Sequence, residues 1–259
     1  MANLQAVTKD RHAGKRWQRY SSYSFAANDA VAALVVQELP KACMTLPIGF
    51  ISVEGRYVPV AVQGLASGKN LLVAPDGRWL GGYVPAGYRG YPFVLANAED
   101  GRQVLCVIED SGLVSETGGE AFFDESGQPS KAVGDVLNFL SQVAANRQAT
   151  QNICAVLQKH ELIQPWPIKL QTEAGEQAVQ GLFRIDEAAL NALPAEALDE
   201  VRKAGALPMV YCQLLSMQHL QKLGQLAQQH AAAQASSLQT ADGELDLEFL
   251  NDGGTIRFS

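Results

Sequence analysis

Histidine, cysteine and long apolar runs are all scarce in this 259-residue sequence, and each scarcity excludes a class of protein. The four histidines, His12, His160, His219 and His230, are too sparse for a metal centre. Even His219 and His230, within one helical stretch, would stand ~16 Å apart at the rise of an α-helix. The four cysteines, Cys43, Cys106, Cys154 and Cys212, lie far apart among apolar neighbours with no CxxC pair. They read as small buried hydrophobes in a reducing compartment rather than as a disulfide framework or zinc site. The longest unbroken apolar run, AVAALVV at 30–36, is far shorter than the ~20 residues of a spanning helix. MANLQAVTKDRHAGKR has no apolar stretch behind its charges, so a secretory signal is not expected and the chain reads as cytoplasmic. Also missing are HExxH, GxxxxGK[ST], GxSxG and a strand-to-helix GxGxxG. No cofactor, no metal and no familiar catalytic constellation is predicted.

What is present suffices for a packed core. With 47% hydrophobic and 18% charged residues, a chain of this size needs no metal or disulfide to hold it together. A net charge of −7 argues against a nucleic-acid partner. The charge is unevenly spread: KDRHAGKRWQR at 9–19 carries a local +4, whereas 99–125 carries a local −7. Either both segments are solvated surface, or the basic one docks on the acidic one, within the chain or between chains.

Periodicity predicts strands first and helices later. DAVAALVVQELPKA (29–42) suits a short helix that Pro40 disrupts at its far end. PIGFISVEGRYVPVAVQGL (47–65) reads as a hairpin turning at Glu54–Gly55. Strands are expected at 69–73, 92–96 and, most clearly, in QVLCVIED at 103–110. A long helix follows over 131–162, then a second hairpin over 165–185, helices at 186–192 and 194–204, and a last helix over 208–230. The expected fold class is α+β: a mainly antiparallel sheet built from hairpins, packed with a long central helix and C-terminal helices. Residues 1–232 read as one globular domain, and 233–259 as a linker-like tail in which LDLEFL and TIRFS can pair as an edge hairpin.

The densest concentration of recognition chemistry is DGRWLGGYVPAGYRGYPF at 76–93. Arg78 and Arg89 can stack on Trp79, Tyr83, Tyr88 or Tyr91, and Arg, Tyr and Trp dominate binding hot spots. The same residues also suit a loop that needs pinning, and composition does not choose between the two. Arg78, Trp79, Tyr83, Arg89 and Tyr91 are therefore candidate binding residues, joined by Asp110 at the end of the apolar strand.

The stretch NLLVAPDGRWLGGYVPAGYRGYPF resembles the central signature of the SapC family, and the resemblance continues through FFDESGQPS, GLFRIDEAALNAL and AGALPMVYCQLLSMQHL. It spans roughly residues 10–225, departing at Leu71–Leu72, where the family often has an aromatic. The resemblance brings no established reaction. The label of peptide-transport permease that circulates for such proteins is not supported by a sequence without a spanning segment. Two functions are expected. One is a non-catalytic accessory protein whose Arg/aromatic loop recognises a peptide, glycan or protein partner. The other is an enzyme of unfamiliar type, holding a small anionic substrate on Arg78 and Arg89 with Tyr83, Asp110 or Cys106 as its chemistry.

Overall fold

The computed structural model describes residues 3–98, 101–172 and 175–237. Its largest sheet is antiparallel and five-stranded, in the order Ile163–Pro165, Phe183–Ile185, Ile48–Val53, Arg56–Val62 and Val31–Ala33. The predicted hairpin at 47–65 forms its centre, in register from Ile48↔Ala61 to Val53↔Arg56. Its two-residue turn holds Glu54 and Gly55 at φ +51° and +75°, the left-handed pair that matches strand twist. The second predicted hairpin resolves into two nested pairs. Ile168–Thr172 pairs with Gly175–Val179, while the flanking Ile163–Pro165 and Phe183–Ile185 join the main sheet.

The helix expected over 29–42 does not form as one element. Val31–Ala33 is a strand paired with Arg56–Val62, and only Leu39–Ala42 is α-helical. Valines lose side-chain freedom in a helix and pack well on a sheet, so pairing with a central strand outweighs the alanines' helix preference. Pro40 starts the short helix instead of ending a long one. The strand expected at 69–73 is likewise reduced to a single bridge between Val73 and Trp79.

A second, three-stranded antiparallel sheet carries Gln103–Ile108 in its middle, between Leu4–Ala6 and Phe93–Asn97. Arg16–Trp17 forms a further small sheet between Val114–Ser115 and Glu120–Ala121. The basic N-terminal segment is thereby docked on the acidic one within the chain. Glu109 binds the guanidinium of Arg11 (2.7 Å) and the ammonium of Lys15 (2.7 Å), and Arg19 pairs with Glu120 (3.3 Å).

One helix, Lys131–Lys159, ties the two cores together. Ser130 caps it, its Oγ accepting the Val133 N–H. Its first half buries Val133 and Leu140 against Trp17, Phe93, Leu105 and Phe122. Its second half buries Ile153, Cys154 and Leu157 on the main sheet with Phe50, Val60 and Ile185. At ~100° per residue, Leu140 and Leu157 point roughly 100° apart, so the helix turns different faces to its two cores. The expected last helix is interrupted: Leu207–Ser216 passes through the 3-10 turn Met217–His219 into Leu220–Ser237. Buried Gln213 accepts from the Ile185 N–H (3.0 Å) and donates to the Ile48 carbonyl (3.1 Å), bridging two strands where their direct pairing is shortest. Of the expected tail hairpin, LDLEFL and TIRFS lie outside the described residues. Among the described residues no helix is long and apolar enough to cross a membrane.

Candidate functional site

The loop 76–93 packs over the strand Val31–Ala33 through a small aromatic core. Tyr88 and Ala32 are buried there with Ala26 and Val73, against Tyr23, Phe25, Trp79 and Val84. Tyr88 donates toward both Asp29 Oδ2 (3.0 Å) and Gln63 Oε1 (2.8 Å), and burial pushes its phenol well above the usual range. Glycines let this backbone sit close. At Gly77, with φ +81°, a Cβ would lie 2.0 Å from Ser22 Oγ, and at Gly90 it would lie 2.6 Å from Leu140 Cδ2. Gly87 is different: a Cβ there would meet nothing within 4 Å.

The expected binding residues divide. Arg78 is exposed and folds back on its own turn, its Nε 2.6 Å from Asp76 Oδ2, with no aromatic partner among the described residues. Trp79 is half-buried, its Nε1 donating to the Tyr83 carbonyl (3.0 Å) and its ring against Tyr23 and Tyr88. Tyr91 lies flat on Phe25 and borders a shallow pocket with Tyr20, Ser22, Ser111 and Leu113. Asp110 accepts the backbone N–H of Asn3 (2.9 Å), holding the N-terminal strand in place. Cys106 is buried, and that burial raises its thiol pKa, which suits packing rather than nucleophilic attack.

Only Tyr83 and Arg89 converge, and they do so on a residue that the sequence reading missed. Glu38 is buried at 6% exposure, its Oε1 accepting the Val35 N–H (2.8 Å) and its Oε2 accepting the Ala86 N–H (2.8 Å) and the Tyr83 hydroxyl (2.9 Å). Arg89 donates to the Tyr83 hydroxyl and, through Nε, to the Val84 carbonyl (3.1 Å). Its guanidinium lies 5.1 Å from the Tyr83 ring and 5.8 Å from that of Phe139, and 3.8 Å from Glu38. Tyr83 is pushed up to about 12, by burial first and then by the Glu38 charge, so it stays a protonated donor. Nothing in the polar Glu38 of VVQELPKA distinguishes it locally; only its distant partners do.

This triad stands at one end of a cleft along the long helix. A pocket of about 200 Å³ lies between Glu38, Lys41, Tyr83, Arg89 and the helical residues Phe139, Val143 and Asn146. It shares Val35, Glu38 and Val143 with a pocket of about 340 Å³, whose walls are Gly87 and Tyr88 on one side and Arg147, Thr150 and Gln151 on the other. That pocket in turn shares Tyr57, Val58 and Gln151 with one of about 520 Å³ beside the hairpin turn, where Gln158 bonds the Gly55 carbonyl (3.0 Å). The cleft thus follows the helix from Phe139 to Lys159, ~30 Å at helical rise. Loop 76–93 pins itself with one set of residues and walls this cleft with another. The cleft offers hydrogen-bond donors, cations and apolar surface, but Arg78, Asp110 and Cys106 lie outside it.

A family model described as SapC matches residues 7–223, well over half of the chain. No curated protein and no solved structure matches the chain.

Proposed function

The chain belongs to the SapC family, and we propose that it serves as a non-catalytic cytoplasmic accessory protein that holds an extended segment of a partner protein in the cleft beside its long helix. The observation that carries this reading is the succession of three adjoining pockets along one helix, each sharing wall residues with the next and the first walled by the Arg89 end of the Arg/aromatic loop. A cleft ~30 Å long is too extended for one small molecule and suits a chain of about nine residues at strand rise. The enzyme reading draws no comparable support, because the cleft gathers only Tyr83 and Arg89 of the groups it would need.

The test is affinity purification from native host cells with the full chain as bait, beside Arg89→Ala and Gly87→Leu forms shown to be folded. Gly87→Leu fills the cleft from a position where a side chain meets no neighbour. A partner retained by the wild type and lost from both variants supports the reading. Identical partners on all three baits, or none on any, would remove the cleft as the recognition surface.

A further inference from the structure

We propose that the cleft takes an acidic peptide, which adds as a sixth strand to the open edge at Val31–Ala33. This rests on the cleft reading above and specifies its occupant. Three observations carry it.

The first is hydrogen bonding at the edge. Val31–Ala33 is the last strand of the main sheet. The Ala30 carbonyl accepts from Gln63 N–H (2.8 Å), and the Leu34 N–H donates to the Pro59 carbonyl (2.9 Å). In an antiparallel ladder those alternate residues face the neighbouring strand, so the N–H and C=O groups of Val31 and Ala33 point out of the sheet. Among the described residues no hydrogen bond meets them. A strand edge left in this state is a template for another strand.

The second is its setting. Proteins commonly blunt such an edge with charge, proline or a covering element. This one carries small apolar side chains and is instead recessed between the loop wall at Gly87–Tyr88 and the helix wall at Val143–Thr150. Recession limits pairing with other sheets while leaving room for a single chain. The bare Cα of Gly87 keeps the loop wall open.

The third is charge. The chain as a whole carries −7, yet the exposed Arg147 and Lys41 on the cleft make no ion pair among the described residues. Of the carboxylates on the cleft, the two nearest this edge are already engaged, Asp29 by the Tyr88 hydroxyl and Glu38 by three donors, and Glu54 lies at the far end beside the hairpin turn with Arg56. A strand with glutamate or aspartate at alternate positions would place its acids toward these cations and its apolar side chains on the sheet's other face.

The experiment is a random decapeptide library displayed on phage and selected on the immobilised full chain, followed by synthesis of the consensus peptide. The expected consensus alternates Asp or Glu with apolar residues. Backbone N-methylation of one alternating set of its residues weakens binding about tenfold per lost bond, whereas methylating the other set has little effect. On the protein, Ala33→Pro removes an outward N–H without touching the ladder to Arg56–Val62 and abolishes binding, and Arg147→Glu weakens it about tenfold or more. Should Ala33→Pro fail to fold, the methylated peptides on the wild-type chain decide alone. A consensus without acids, or one indifferent to N-methylation while Gly87→Leu still blocks it, overturns the proposal of an acidic added strand and leaves the cleft reading standing. If no peptide is selected, or Gly87→Leu binds it undiminished, both readings fall.

Discussion

Arg89 and Tyr91 are two residues apart and belong to different neighbourhoods. The Arg89 guanidinium donates to the Tyr83 hydroxyl above buried Glu38, while the Tyr91 ring stacks on Phe25, centroids 3.8 Å apart and planes 3° from parallel. The Arg/aromatic loop is therefore divided between two neighbourhoods. Its tyrosines and tryptophan mostly fasten it to the body of the protein, and its arginine at 89 faces the cleft.

Substitution separates those two jobs. Tyr91→Ala leaves a hole against Phe25 and Tyr20 and lowers stability by about 1–3 kcal/mol while sparing cleft binding. Arg89→Ala, at a side chain 42% exposed, costs under about 1 kcal/mol yet removes binding. Urea denaturation beside peptide-binding isotherms checks the crossing of the two effects. Parallel losses in both variants would show that the loop acts as one unit.

Glu38 should be intolerant even of an isosteric change. Glu38→Gln puts an amide where a carboxylate accepts the Val35 and Ala86 N–H groups and the Tyr83 hydroxyl, so at least one donor is left facing another donor. A loss of about 1–3 kcal/mol follows. The Tyr83 phenol, held at about 12 partly by the Glu38 charge, moves down in an ultraviolet titration of the variant.

Acid should loosen the N-terminal segment first. Hydrogen bonds from Arg11 and Lys15 hold Glu109 down to about 2, below its unfolded value of 4.5. A depressed carboxylate stabilises the fold at pH above its unfolded value, and that contribution is lost as pH falls from 4.5 toward 2. Buried His12, 3.3 Å from Glu109, is shifted below 6.5 mainly by desolvation. It acts in the same direction, its neutral form favouring the fold until pH drops below 6.5. Thermal melts across this range should therefore show falling stability on acidification, and Glu109→Gln should flatten the lower part. An unchanged profile in that variant would move the acid sensitivity elsewhere.

Two glycines of one loop should respond oppositely to alanine. Gly77→Ala forces a side chain onto φ +81° and against Ser22 and Ser24, for about 1–3 kcal/mol. Gly87→Ala meets open space within the short helix Ala86–Arg89 and leaves the melting temperature unchanged or slightly raised. Paired melts of the two variants test whether Gly87 is there for packing or for the cleft.

Local pattern carried the readings that held. The hairpin at 47–65 needed only its β-branched strands and Glu54–Gly55 turn, and the long helix only a proline-free run with apolar residues three and four positions apart. The same logic failed at 29–42, where AVAALVV is as good a helix as a strand until Arg56–Val62 offers it a ladder. It also failed to rank the loop's residues, since an arginine beside aromatics looks alike whether it returns to Asp76 or reaches Tyr83.

The sequence by itself determined the family, the α+β character and the central hairpin and helix, because each rests on neighbours within a few turns of the chain. Only the tertiary structure decided which groups meet. Glu38 finds Tyr83 across 45 positions, Thr150 reaches Val36 across 114, and the cleft exists because a helix centred near residue 145 lies beside a strand at residue 32. Those contacts depend on how whole elements pack, and packing is a property of the assembled surfaces that no short stretch of sequence contains.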